Sequence, residues 1–133
     1  MKAASPWDYF VKIDSPNGRF VAVFDNAGEI CMGGPAIGTL SIFEKATDEK
    51  LLAIDSANGA FVWAQESDAI AFPKWSSGRD QYLAVVTVPE GSIDLSDDIY
   101  RVLQLEEFSG RRIRGVDSPI HKPQRIDIGF TRR

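Results

Sequence analysis

The sequence predicts an all-β domain, an antiparallel meander with little or no helix. Short runs of Val, Ile, Phe, Tyr and Trp recur along the chain, each bounded by Gly, Pro, Asn, Asp or Ser clusters. Two of those clusters hold Asn-Gly pairs, Asn17-Gly18 and Asn58-Gly59, which accept the positive φ of tight hairpins. Helix-forming density rises only around 92–98 and 43–51, and both stretches are short. A chain of 133 residues suits one domain, spanning 1–133. Such a chain buries roughly two-thirds of its surface on folding, so its core needs no staples.

Taken in order, the expected strands cover 9–13, 19–24, 39–43, 50–54, 60–64, 69–73, 81–88, 100–105, 111–116 and 125–130. Ser15-Pro16-Asn17-Gly18 joins the first two, with Pro fixing φ early and Asn-Gly closing the turn. Thr47-Asp48 and Pro89-Glu90-Gly91 are further turns. The segment 25–38, rich in glycine, reads as the longest structureless connection, and long loops in compact domains are often functional. At the end of the chain Ile126, Ile128 and Phe130 fall two apart and share one face of a closing strand, with Arg125 and Asp127 on the other.

Two stretches look alike. Near 9–54 a strand, a tight turn, a second strand, a loop and a third strand follow one another. Near 60–94 the same order returns through Phe61-Val62-Trp63-Ala64, Gln65-Glu66-Ser67-Asp68 and Ala69-Ile70-Ala71-Phe72, with a poorer third copy near 100–130. The offset matches a four-stranded propeller blade. The run from Trp63 to Phe72 resembles the blade of WD40-like and TolB-like β-propellers, in which a tryptophan precedes a small polar turn and a strand. The likeness covers about 80 residues and lacks the Gly-His and Trp-Asp pairs of true WD40 blades. It implies two to three blade-like sheets, fewer than the four to eight of a complete ring. Those sheets then close on each other or complete a ring with another copy, which makes a homo-oligomer one expectation.

Charge is unevenly spread. The net charge of −4 combines +5 over 111–133 with −9 over 1–110. The basic end interleaves with Ile113, Val116, Ile120, Ile126, Ile128 and Phe130, so it is expected to pack across the acidic body rather than to reach for nucleic acid. The acidic body favours a basic protein partner. No apolar run approaches the ~20 residues that span a bilayer, and residues 1–8 hold no apolar stretch of a signal peptide. A cytoplasmic protein without membrane or nucleic-acid partners is the expectation. The single cysteine, Cys31, excludes an internal disulfide and a cysteine zinc cluster. With Met32 it is expected to fill space at a loop base.

Assembled chemistry is sparse. There is no His-Glu-x-x-His, no nucleophile elbow and no dinucleotide fingerprint. The glycines of 33–39 mimic a phosphate loop in spacing alone, without its lysine or the helix that should follow. Asp117, Ser118 and His121 lie too close in one loop for a triad. Asp94, Asp97 and Asp98 do not match a calcium loop, and Glu106-Glu107 would face opposite sides of a strand. No catalytic set, metal site or cofactor is expected. Trp63 is placed in the core. Trp75 reads as a loop residue with Lys74 and Arg79, and packing is expected ahead of partner recognition. If exposed, it makes an interface anchor with Arg79, since Trp and Arg are enriched at hot spots. Asp25 and Glu29 of the long loop and the single histidine, His121, complete the candidate binding residues. The leading expectation is a non-catalytic binding protein, in its concrete form an immunity-type protein that neutralises a basic partner. A glycan- or small-ligand-binding module is the alternative. A cryptic hydrolase built on Asp117, His121 and a carboxylate of 25–38 is the third reading.

Overall fold

A computed structural model describes residues 4–130, and within them the chain forms eleven strands and no helix. They group into three successive blades. Blade 1 holds β1 (Val11–Asp14), β2 (Phe20–Glu29), β3 (Ala36–Glu44) and β4 (Lys50–Ala57). Blade 2 holds β5 (Val62–Trp63), β6 (Ala69–Trp75), β7 (Gln81–Thr87) and β8 (Ile93–Tyr100), and blade 3 holds β9 (Leu103–Ser109), β10 (Arg112–Asp117) and β11 (Gln124–Gly129). Within each blade consecutive strands pair antiparallel. Blades 1 and 2 share one ladder position, Ala57 opposite Lys74. Blades 2 and 3 meet at a parallel bridge between Ala64 and Phe108. The innermost strands are β1, β5 and β9, side by side. The Trp63 indole N–H donates to the Ile13 carbonyl across the first gap (3.0 Å).

The period of two decides how the blades stack. Even-numbered Ile70, Phe72, Ala84 and Val86 of blade 2 join Phe20, Ala22, Phe24, Leu40 and Ile42 of blade 1 in one core. Odd-numbered Ala69, Ala71, Leu83 and Val85 join Leu103, Leu105, Phe108 and Ile113 of blade 3 in a second. Phe20 stacks on Trp63 with centroids 6.3 Å apart inside the first. The basic end packs in part as expected, although Ile120 is 77% exposed and one of its pairs, Arg112 with Asp127, lies within the end itself. Ile126, Ile128 and Phe130 pack on the second core, while Arg125 pairs with Glu106 and Arg112 with Asp127, both at 2.7 Å.

The two stretches of higher helix-forming density are strand and turn, in keeping with the all-β reading: 92–98 is most of β8, and 43–51 is the end of β3, a turn and the start of β4. Other expectations are corrected. The 25–38 loop shrinks to 30–35, because β2 runs on to Glu29 through a bulge between Asp25 and Gly28 and pairs with β3 as far as Ala36. Asn58 is not a turn residue. It is buried, and its amide donates to the carbonyls of Pro6 (2.9 Å) and Ala36 (2.8 Å). Gly59 is there for space, since a Cβ would lie 2.7 Å from the Phe24 ring. Cys31 and Met32 fill nothing. Both are exposed, Met32 at 97%. Glu106 and Glu107 share a face, because a bulge opposite Arg114 and Gly115 inserts one extra residue in β9. That outer face of blade 3 becomes a ladder of Arg112, Arg114, Arg125, Asp127 and the two glutamates.

Candidate functional site

The three inner strands line a cleft of about 300 Å³ along the axis of the arc. Its floor is apolar, with Ile13 from β1, Phe61, Val62 and Trp63 at β5, and Phe108 from β9. These side chains face inward because they belong to the two cores, so the floor is as rigid as the packing beneath it. The rim carries Asp14, Gln65, Glu106 and Glu107. Among the described residues no basic side chain lines this cleft. The cations that balance the rim stand outside it: Lys45 on Asp14 (2.7 Å), Arg125 on Glu106 (2.7 Å) and Arg114 on Glu107 (3.7 Å). Those pairs are exposed and weak, worth about 0–1 kcal/mol each. A partner's basic group can therefore displace them at little cost. An acid-rimmed apolar trough fits a long cationic side chain, whose stem lies on the floor and whose head meets carboxylates.

A second cleft, of about 330 Å³, sits at the other end of β9 and is built from loops. Trp7, Gly33, Val102, Pro119 and Ile120 wall it, with Ser118, and among the described residues its only ionisable lining groups are Arg101 and His121. Four hydrogen bonds hold its margins. The Trp7 indole N–H donates to the Gly33 carbonyl (3.2 Å), the Gly33 N–H to a Glu29 carboxylate oxygen (3.1 Å), and the Arg101 and Val102 backbone N–H groups both to Asp117 Oδ1 (3.2 Å). Loss of hydration first, then the nearby Glu29 carboxylate, raises the Tyr9 pKa above its usual value.

The residues singled out in the sequence do not converge. Asp25 lies half-buried in β2, and Arg79 is exposed in the turn after β6. Trp75 is not in a loop. It ends β6, only 6% exposed, and its indole N–H donates to the Ala36 carbonyl (3.0 Å). Glu29 and His121 alone fall at one place, the margin and lining of the second cleft. Trp63 is buried, as expected, at 7% exposure. The Asp117 carboxylate is occupied by backbone amides, with Ser118 Oγ at 3.4 Å. Asp94, Asp97 and Asp98 do not gather into a metal-binding group among the described residues. The axial cleft was missed because its walls come from three segments far apart in sequence. Its one signal was Trp63 at the blade-core position.

No protein-family model matches the chain, and no curated protein matches it in sequence. Solved structures do resemble it. The chain is similar to TolB from Acinetobacter baumannii, with a TM-score of 0.65 at 11% identity over 92% of this chain and 30% of that one. It is also similar to the β-propeller domain of the Trilobed protease from Pyrococcus furiosus, described as having an open velcro topology, with a TM-score of 0.56 at 13% identity. That match covers 87% of this chain and 35% of the other, so the chain spans about a third of each. The fold is that of consecutive β-propeller blades.

Proposed function

We propose that this chain is a non-catalytic binding protein that holds a basic partner protein in its axial cleft. An immunity-type protein, acting in the cytoplasm to neutralise that partner, is the concrete form of this reading. The single observation that carries it is the cleft's make-up: an apolar floor from three blades under a rim whose charged groups, among the described residues, are all carboxylates. Complementary charge would steer a basic partner in, and the floor would supply the desolvated contact. The glycan-binding alternative has less behind it, since Trp63 and Trp75 are buried and offer no open stacking face. The hydrolase alternative would need Asp117 released from the backbone amides it accepts.

Titrating the protein with an arginine-rich decapeptide and with its glutamate-rich counterpart, read by tryptophan fluorescence, tests the reading. The basic peptide should bind and weaken with salt. The combined variant Asp14→Asn, Glu106→Gln, Glu107→Gln should lose about tenfold or more in affinity. Equal binding by the variant, or preference for the acidic peptide, would overturn it.

A further inference from the structure

We propose that the second cleft binds a small amphiphilic organic anion, a carboxylate carried on an aromatic or branched aliphatic body. The proposal is independent of the axial cleft. The chain as a whole is acidic, yet the ionisable groups lining this cleft are Arg101 and His121. Arg101 is also unspent. Among the described residues its guanidinium makes no ion pair, whereas Arg112, Arg114 and Arg125 are each matched by a carboxylate. Asp117 makes no salt bridge to that guanidinium, and its Oδ1 accepts the backbone N–H groups of Arg101 and Val102. His121 likewise makes no hydrogen bond among the described residues, and it is exposed. A planar guanidinium pairs with a carboxylate through two parallel bonds, and an imidazole beside it adds a third donor.

The apolar half of the ligand is specified by the walls. Trp7 is fixed by its bond to Gly33, and Val102, Pro119 and Ile120 complete an apolar surround. Ile120, one of the lining residues, is 77% exposed. A large apolar side chain left this open on a cleft wall is surface that a bound body can cover. A volume near 330 Å³ is at the lower end for small-molecule sites, which sets the ligand at one ring or one branched chain.

Amide-shift titration of the full chain with phenylacetate, and separately with benzylammonium, tests this. Phenylacetate at up to about 10 mM should shift the amides of Arg101, Val102, Ser118, Ile120 and His121 and the Trp7 indole N–H, while benzylammonium leaves them in place. Arg101→Met should weaken phenylacetate by about tenfold or more. Arg111→Met, which removes an exposed arginine that does not line the cleft, should leave it unchanged. A spectrum of Arg101→Met that matches the parent elsewhere confirms that it folds, and Ile120→Ser serves as the second variant. The proposal is overturned if both ligands act alike, if the shifts fall outside the cleft, if no shift occurs, or if Arg101→Met binds as the parent does.

Discussion

The two clefts stand at opposite ends of one seven-residue strand, β9, and differ in sign, in material and in rigidity. The axial cleft is made of strand residues whose undersides are the hydrophobic cores, and its rim is acidic. The second is made of turns held by a few hydrogen bonds, and among the described residues its ionisable lining groups are Arg101 and His121. Val102 of the second cleft and Glu106 of the axial one are four residues apart on this segment, roughly 13 Å, which exceeds the screening length of about 8 Å at physiological salt. Each cleft therefore presents its own field despite the chain's overall negative charge. A repeat fold thus separates two tasks: the inner strands set shape, while the connections at the far end are free to set a different chemistry.

Substitution should expose that difference most sharply at the tryptophans. Trp63→Ala removes the floor of the axial cleft and part of the first core, and should cost about 3–5 kcal/mol in denaturant unfolding. Trp7→Ala, on a half-buried side chain at the second cleft, should cost about 1 kcal/mol. Equal losses would erase the contrast. Next comes Gly115→Ala, where a Cβ would sit 2.5 Å from the Gln104 carbonyl oxygen opposite the β9 bulge. A loss of about 1–3 kcal/mol is expected, with shifted amides at Glu106 and Glu107 and unchanged ones at His121.

Asp117→Ala acts at the other end. It leaves the Arg101 and Val102 N–H groups without their acceptor and should cost about 1–2 kcal/mol, with faster amide exchange there and none gained at Trp63. The smallest effect is on pH. Burial first, then the charges of Asp98 and Asp117, raises the Tyr100 pKa above 10.0. The folded chain keeps that proton when the unfolded chain has lost it, so stability falls as pH rises past the unfolded value. Tyr100→Phe should flatten part of the decline in melting temperature between about pH 9 and pH 11.

Most strands were legible because alternation survives wherever a strand lies between two cores, as in Ala69-Ile70-Ala71-Phe72. Legibility failed where that pressure is absent. β8 is an outer strand, and its Asp97-Asp98 pair breaks the alternation, so it reads as a polar turn or a short helix. The stretch 25–38 reads as loop because its glycines hide a ladder that continues past a bulge. Trp75 looked exposed among Lys74, Ser76 and Ser77, and only the Ala36 carbonyl, 39 residues away, explains its burial. The clefts share this difficulty. Gly33, Arg101 and His121 are brought together by blade stacking, and local pattern carries no trace of it.

The alternation in blade 2 has a mechanical consequence. Its β6 and β7 backbones are the single wall between two hydrophobic compartments, so neither compartment can open while the other stays intact on both sides of that wall. Blades 1 and 3 can loosen singly at their outer strands, but loss of the middle blade dissolves both compartments in one step. The amides of Ile70 to Phe72 and Leu83 to Val86 are then the ones whose exchange reports global unfolding. Mechanical or thermal fraying should begin at β11, an edge of its sheet, and the chain's cooperativity resides in its centre.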